Sequence, residues 1–464
     1  MTTSLERKPL ITEGPILKTL LLLAGPIILN NLVLTLYNLT DATWIGHLSS
    51  AAFSSTVFVW PVTFLFLGFG MGVQVSGTSL LSRFIGAGQY KNANDYAFHL
   101  VLLALGVAIV LSSLAYLLAP LVLNWMGAGD ELLSMSLDYL RTIALGFPFS
   151  FLYFTFISIM HSQGNTMIPT IISGFTAILN VFLDPLFIFE TIPYINIPGL
   201  NMGVKGAALA TIFCQFINIV VGAIYLFKTK GLIDLRLHGS INSRIFRDII
   251  RIGAPATAGQ SGAAFGFIVL NGVIRSYGVS TLGAFGMVNR ITDLIMLPSM
   301  GIGMALTSMV GQNLGAGRLD RAKSAFRQAA LTGFIIAAIG SIFIKIYDLQ
   351  ILQLFLKAND DPKLIEEALV YISFSVFTIP LMALFSVFQG LFQGSGHTRY
   401  SMMMSVFRLW VIRLPLIQIL KYTTNIGSTG IWVAMTVSNV IIILYGYSMY
   451  RSGKWQKSII KGDV

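Results

Sequence analysis

The chain has 464 residues, of which 55% are hydrophobic and only 11% are charged. Soluble domains carry about 25% charged residues, so this composition excludes a sizeable soluble domain and favours an integral membrane protein. The formal net charge of +11 resembles that of a nucleic-acid-binding protein, but the positions of the basic residues explain it by membrane topology.

Twelve continuous apolar runs, each long enough to cross the hydrocarbon layer as a helix, follow one another along the chain. Because the runs do not alternate between polar and apolar residues, a transmembrane β-barrel is excluded. The first run lacks a cleavage site of small residues, so we interpret it as a retained span. The predicted spans are about 16–44, 52–82, 93–119, 132–160, 167–190, 203–228, 245–274, 280–313, 323–346, 364–392, 399–420 and 428–450.

The basic residues predict the orientation. Most of the 30 Lys and Arg residues fall in alternate connections on one side of the predicted membrane, including the clusters at 228–251, 318–327 and 451–461. The opposite connections hold few, such as Arg275 and Lys421. Cytoplasmic connections are enriched in Lys and Arg, so we expect both termini to be cytoplasmic, in the inner (plasma) membrane.

The two halves of the chain resemble each other. Residues 72–93, "GVQVSGTSLLSRFIGAGQYKNA", align without gaps on residues 301–322, "GIGMALTSMVGQNLGAGRLDRA", and three shorter pairs lie in the same order at nearly the same displacement. Each half holds six spans, so the halves have the same orientation. This pattern predicts two six-helix bundles related by a pseudo-twofold axis along the membrane normal, an architecture typical of transporters.

The repeat also divides the chain into predicted domains. We expect an N-lobe at residues 1–228 with helices 1–6, a cytoplasmic linker at 229–244, and a C-lobe at 245–464 with helices 7–12 and a basic tail. The basic linker is either an amphipathic segment on the membrane surface or a solvated loop.

The sequence offers no catalytic constellation. The five histidines are scattered without metal-ligand spacing, and no Walker A pattern is present. The single cysteine, Cys214, lies in a predicted span and is interpreted as a buried structural thiol. These patterns predict a protein that is not an enzyme and that has no resident metal or cofactor.

Ionisable residues within the spans are informative because each is costly to bury unless it is paired or neutralised. Arg290 and Asp293 are three residues apart, so they share a helix face and are predicted to pair locally. Arg408 and Arg413 either reach the membrane surface or bind an anionic group.

Asp41 and Asp184 differ from these residues, because neither has a cation within a helical turn along the chain. Asn180 lies four residues before Asp184 and therefore on the same helix face. A carboxyl group in a low-dielectric site holds its proton more tightly than in water, and an incoming cation or water reverses this. We therefore interpret Asp41 and Asp184 as coupling groups, the alternative being a structural hydrogen-bonding role between helices.

Several motifs resemble one known family. "LYNLTDATWIGHL", "GAG" after the second span, "QGNT" and "LNVFLDPLFIF" are similar to motifs of the multidrug and toxic compound extrusion (MATE) family, most of all its DinF-like branch. The resemblance covers essentially the whole chain. It implies twelve helices in two bundles and antiport of cationic, amphipathic compounds against H⁺ or Na⁺. It also implies that Asp41, Asn180 and Asp184 form the coupling site, and that Tyr37 and Thr211 line the same substrate cavity.

One departure bears on the coupling ion. The NorM-like branch of the family carries acidic residues within its seventh and tenth spans, which are associated with Na⁺, whereas here Glu366 and Glu367 lie at the very start of the tenth span. Na⁺ coupling in the C-lobe is therefore doubtful, and H⁺ is favoured. Na⁺ at Asp41 and Asp184 stays open, because two carboxylates and an amide oxygen also suit a hard cation.

The sequence thus predicts a proton-coupled exporter of organic cationic or amphipathic compounds that works by alternating access. The alternatives are Na⁺-coupled antiport at the same N-lobe site and a flippase of lipid-linked precursors, which would require a strongly cationic cavity. We expect small organic cations and membrane lipid as partners, no nucleic acid, and a monomer.

Overall fold

The structure is a computed structural model that describes residues 11–127, 129–193, 195–229, 231–235, 241–354 and 361–457. The predicted basic positions Arg7, Lys8, Lys230, Arg236 and Lys461 lie outside the described residues. Within those ranges the chain folds into helices, because a chain in lipid must satisfy its backbone groups internally. The helices are α1 Ile16–Leu48, α2 Ser50–Gly86, α3 Tyr90–Trp125, α4 Asp130–Leu145, α5 Phe147–Ser162, α6 Met167–Ile188, α7 Gly203–Lys228, α8 Ser243–Arg275, α9 Val279–Gly315, α10 Leu319–Ile346, α11 Asp348–Gln353, α12 Pro362–Gly394, α13 Thr398–Val406, α14 Leu414–Thr423 and α15 Thr429–Arg451.

The predicted set of membrane spans is confirmed, with one refinement. Among the described residues, 11 helices are long and apolar enough to cross a membrane, and a bent helix pair raises the number to 12. This pair, α4 and α5, corresponds to the predicted span 132–160 and bends by 45°. The break falls at Gly146, and Pro148 follows in the first turn of α5. A proline cannot donate a backbone hydrogen bond to the preceding turn, which accounts for the position of the break.

Helix lengths show the predicted repeat. Helices α2 and α9 both have 37 residues, and their first and last residues are separated by the same displacement as the aligned motifs. Helices α1 and α8 both have 33 residues. Each of these four helices contains a proline.

Two compact units divide the chain. One, called here the N-unit, is Leu29–Thr257, and the other, the C-unit, is Met1–Ile28 with Ala258–Val464. Both boundaries lie within helices, α1 and α8, two residues after Pro26 and Pro255. The predicted lobes instead divide the chain within the linker at 229–244.

The described part of the predicted linker lies within the N-unit and is bonded to neighbouring helices there. The side-chain oxygen of Gln163, at the end of α5, accepts hydrogen bonds from the backbone N–H groups of Leu232 and Ile233 at 2.8 and 3.3 Å. Asn94 on α3 accepts another from the N–H of Asp234 at 2.9 Å, and the Ile233 side chain is buried. Residues 231–235 are therefore held by specific hydrogen bonds.

Small residues set the closest helix contacts in the C-unit. A Cβ atom on Gly390 of α12 would overlap the carbonyl oxygen of Gly303 of α9, and one on Gly394 would overlap that of Thr307. Membrane helices associate by van der Waals packing, which small residues permit at short range. These glycines therefore allow α9 and α12 to pack backbone against backbone.

Candidate functional site

The candidate site lies in the N-unit and begins with α1. Tyr37 and Asp41 are four residues apart, so the helix places both side chains on one face. Both are half-buried, whereas Leu36 and Leu39 on other faces are exposed, at 55% and 61%. The helix thus turns Tyr37 and Asp41 toward the protein interior and these leucines toward the outer surface.

Helix α6 supplies the second part of the site. Asn180 and Asp184 are also four residues apart, and their side chains are 1% and 0% exposed. On other faces of α6, Ile178 and Phe182 are 63% and 69% exposed. The same separation of faces therefore directs the amide and the carboxyl group inward.

Asp41 and Asp184 lie within hydrogen-bonding reach of each other, and Asn180 lies within reach of Asp184. The contacts are close but not well aligned. Among the described residues, Oδ1 of Asp41, both carboxyl oxygens of Asp184, and Oδ1 and Nδ2 of Asn180 are buried without a hydrogen-bond partner of regular geometry. Buried polar atoms normally have partners, so this cluster has an unused capacity for a proton or a cation.

Helix α7 supplies the residues of the site that lie beside Tyr37. The hydroxyl groups of Tyr37 and Thr211 are hydrogen-bonded at 2.9 Å. One helical turn away from Thr211, the buried Cys214 lies close to Asn180 and Asp184. The structure thus brings together all five residues that the sequence proposes for the site, and it buries Cys214 as expected.

Sequence reasoning missed Tyr139 and the contact of Cys214 with the site. Tyr139, on α4, lies in the electrostatic range of both Asp41 and Asp184. It follows Asp138, which is exposed, and nothing in the local sequence distinguishes it from a lipid-facing tyrosine. Cys214 is three residues after Thr211, and this helical spacing was the available signal.

The chemistry of the cluster follows from its charge. In the part of the chain that the structure describes, no Lys or Arg forms an ion pair with Asp41 or Asp184. Two adjacent buried carboxylates repel each other, and the cost falls when one of them takes up a proton or a cation. The three side chains also offer carboxylate and amide oxygens, which suit Na⁺ as a hard cation.

The other ionisable residues within spans have different surroundings. Arg141 donates a hydrogen bond to the carbonyl oxygen of Tyr116 at 3.3 Å and lies over its ring. Glu367 accepts hydrogen bonds from the hydroxyl groups of Thr281 and Ser428 at 3.3 and 2.6 Å. Both residues are therefore accounted for by local contacts.

The predicted pair of Arg290 and Asp293 is wrong. Both side chains are exposed, and no ion pair joins them among the described residues. Long side chains on an exposed helix face gain little from pairing, so a separation of three residues does not bring them together. Arg408 and Arg413 are buried, at 6% and 1% exposure, so they do not reach toward the membrane surface.

Comparison with known proteins identifies the family. The family model MatE matches residues 26–186 and 255–419, which is most of the chain and covers both repeats. The chain belongs to the MATE family. Members of this family are transporters, so the MATE protein described here is not an enzyme. Its assignment to the DinF-like branch stays a prediction.

Individual relatives cover nearly the whole chain. The Bacillus subtilis protein named probable multidrug resistance protein YpnP is 26% identical over 451 residues, covering 96% of this chain and 97% of the relative. The Thermotoga maritima protein named probable multidrug resistance protein NorM is 25% identical, covering 96% and 94%. A crystal structure of MATE in complex with MaL6 is similar with a TM-score of 0.89 at 24% identity, covering 96% and 98%. The predicted MATE fold is thus confirmed.

Proposed function

We propose that this MATE transporter exports cationic, amphipathic organic compounds in exchange for protons. The observation that carries the proposal is the adjacent pair of Asp41 and Asp184, whose carboxyl groups hold three buried oxygen atoms without a hydrogen-bond partner among the described residues. A site of this kind holds either a proton or a cationic group, because each relieves the same repulsion. Competition between the two is the requirement for antiport. Relatives named multidrug resistance proteins support organic compounds as substrates.

The mechanism uses the position of Asp41 on α1. Protonation of Asp41 or Asp184 removes the charge that holds a substrate cation and rearranges the hydrogen bonds around Asn180. We propose that α1 then changes its bend near Pro26, since a proline removes one backbone hydrogen bond from the helix. Release of the proton to the cytoplasm restores the charged, substrate-binding state.

Transport in reconstituted vesicles tests the proposal. We expect ethidium transport by the wild-type protein under an imposed pH gradient, and no transport under a Na⁺ gradient at equal pH on both sides. An Asp41→Asn variant should insert normally but lose pH-driven transport. Asp138→Asn, which removes an exposed carboxylate of the N-unit, is the matched control and should transport normally.

The same experiment addresses the alternative ion. If a Na⁺ gradient alone drives transport and Asp41→Asn abolishes it, the coupling ion at this site is Na⁺ and not H⁺. Full transport by Asp41→Asn under a pH gradient would refute the coupling role. The flippase alternative remains a prediction from sequence, since it would use the buried arginines of the C-unit and not this carboxyl pair.

We also propose that the protein lies in the inner (plasma) membrane with cytoplasmic termini, on the basis of the basic connections; the monomeric state stays a prediction. The buried Cys214 is the single cysteine of the chain, which makes labelling selective. A cysteine introduced at Ser452, after α15, should resist an impermeant maleimide in intact spheroplasts. One introduced at Thr423, at the end of α14, should react. The reverse labelling pattern would show that the termini lie outside the cytoplasm.

A further inference from the structure

The C-unit contains a cavity that the proposed function does not use. Its volume is about 390 Å³, and it is lined by residues of α8, α9, α12, α13, α15 and the segment between α13 and α14. Drug-sized ligands occupy cavities of roughly 300–1,000 Å³, so this cavity can hold one small organic molecule.

Two arginines line the cavity. Arg408 and Arg413 are both buried, and both belong to its wall. They lie at the second and last positions of the π-helical segment Phe407–Arg413. Backbone hydrogen bonds of a π-helix join residues five apart, as between the N–H of Leu414 and the carbonyl oxygen of Leu409. This geometry brings the two arginines, also five residues apart, toward one face.

The partners of Arg408 are weak. Its Nη1 donates to the sulfur of Met382 at 2.8 Å, and the guanidinium group lies 4.7 Å from the centre of the Phe385 ring. Thioether sulfur is a weak acceptor. Its Nε is buried without a hydrogen-bond partner among the described residues. This guanidinium group therefore retains donor capacity next to the cavity.

Arg413 has neutral partners. Its Nε donates to the hydroxyl group of Ser438 at 3.1 Å, and Nη2 donates to the side-chain oxygen of Asn439 at 2.8 Å. Both partners are uncharged, so they satisfy hydrogen bonds but leave the positive charge uncompensated. A buried cation without a counter-ion is costly.

Asp293 is the acidic residue in the lining, and it does not compensate the arginines. Its side chain is exposed, in contrast to theirs. No ion pair joins it to Arg408 or Arg413 in the described part of the chain. The lining holds one carboxylate against two guanidinium groups, so the cavity carries a net positive charge.

We propose that this cavity binds an amphipathic anion, with an oxyacid group such as a carboxylate or phosphate at Arg408 and Arg413 and an apolar body against the remaining wall. Guanidinium groups match such oxyacids in charge and geometry. The lining also includes Phe267, Met296, Met300 and Met304, and methionines adapt to ligands of different shapes. The inference is independent of the coupling role of Asp41, because it concerns binding in the other unit.

Binding of 1-pyrenebutyrate, followed by fluorescence anisotropy with the protein in phosphatidylcholine nanodiscs, tests the proposal. We expect the wild-type protein to bind this carboxylate about tenfold more tightly than its uncharged methyl ester, since a hydrogen bond to a charged group is stronger than one to a neutral group. Arg408→Gln should abolish the preference for the acid, while Arg408→Lys should retain part of it. Arg290→Gln, which removes an exposed arginine outside the cavity, is the matched control and should bind like the wild type.

Equal affinity of the wild-type protein for acid and ester would overturn the proposal, and this comparison needs no variant that must fold. An unchanged preference in Arg408→Gln would overturn it as well. Nanodiscs that contain phosphatidylglycerol identify the source of the anion. A loss of probe affinity that requires Arg408 assigns the cavity to a lipid headgroup, and an unchanged affinity assigns it to a soluble molecule. Either result supports an anion site.

Discussion

The two repeats place opposite charges at related positions. In the first repeat, Asp184 precedes Pro185 on α6, and its carboxyl group faces Asp41. In the second repeat the related proline is Pro415, at almost the same displacement as the aligned motifs. Leu414 stands directly before this proline, and Arg413 stands directly before Leu414. The positions related to Asp41 by displacements of 227 to 230 residues run from Ile268 to Asn271, and none of them is acidic. One repeated scaffold thus carries an acidic site in the N-unit and a basic cavity in the C-unit.

The difference shows what the repeat determines and what it leaves free. Helix lengths are the same in α2 and α9, and in α1 and α8, because the repeat fixes where corresponding helices begin and end, and each must exceed the roughly 20 residues that cross the hydrocarbon layer. The inward-facing polar residues are not under that constraint. Charges of either sign are tolerated inside the bundle when a ligand or a proton compensates them.

Copying the second repeat into the first gives the largest expected effect. An Asp184→Leu variant gives the first repeat the leucine that the second repeat has at position 414. It should reduce pH-driven ethidium transport to the level of protein-free vesicles. Its melting temperature in detergent should be equal to or above that of the wild type, because two unpartnered buried oxygens are removed. Retained transport, or a variant that unfolds, would break the comparison between the repeats.

Helix packing should also differ between the repeats. Gly390→Ala places a methyl group against the backbone of Gly303, and overpacking of this kind costs up to about 3 kcal/mol. Gly77→Ala in α2 meets the side chain of Ser158 instead, so we expect a smaller loss of melting temperature. Gly286→Ala is the control, because no described atom lies within 4 Å of the added methyl group. Equal losses for all three would contradict the packing described for α9 and α12.

Removal of a charge should have different consequences for stability at the two sites. Arg413→Met has similar volume but leaves Ser438 and Asn439 without their donor, which should cost about 2 kcal/mol of unfolding free energy. Asp41→Asn keeps the shape of the N-unit site and relieves repulsion, so we expect no loss. Thermal unfolding in detergent measures both. Destabilisation by Asp41→Asn as large as that by Arg413→Met would show that the carboxyl pair is structural.

The smallest expected effect on stability concerns the exposed carboxylate of Asp361, and this effect depends on pH. The hydroxyl group of Ser280, followed by the N–H of Lys363, donates to Asp361 and lowers the pKa of this carboxyl group below its ordinary value of 3.8. A lowered folded-state pKa stabilises the protein above the unfolded-state value, and this contribution is lost as the pH falls through the folded-state value. Ser280→Ala should therefore lower the melting temperature slightly at pH 7, with a difference that shrinks below about pH 4. A difference that grows in acid would contradict this assignment.

The sequence predicts most of the fold and most of the residues of the N-unit site. Apolar run length predicts the spans, and i, i+4 spacing places Tyr37 with Asp41 and Asn180 with Asp184. Pro148 indicates a bend in the predicted span 132–160, whereas the π-helical geometry of Phe407–Arg413 was not predicted, since it depends on packing against neighbouring helices. Tyr139 was missed for the same reason. The failed pairing of Arg290 and Asp293 shows that spacing alone does not determine which side chains meet.

Proton release on substrate binding tests the coupling role of Asp41 and Asp184 most directly. Saturating ethidium is added to the purified protein in weakly buffered detergent solution, and a pH indicator records the protons set free between pH 6 and 8. If the carboxyl pair holds a proton or a cation in turn, the wild-type protein releases protons as it binds the dye. The Asp41→Asn, Asp184→Asn double variant then releases none. Dye binding without proton release by the wild type, or equal release by the double variant, would contradict the account.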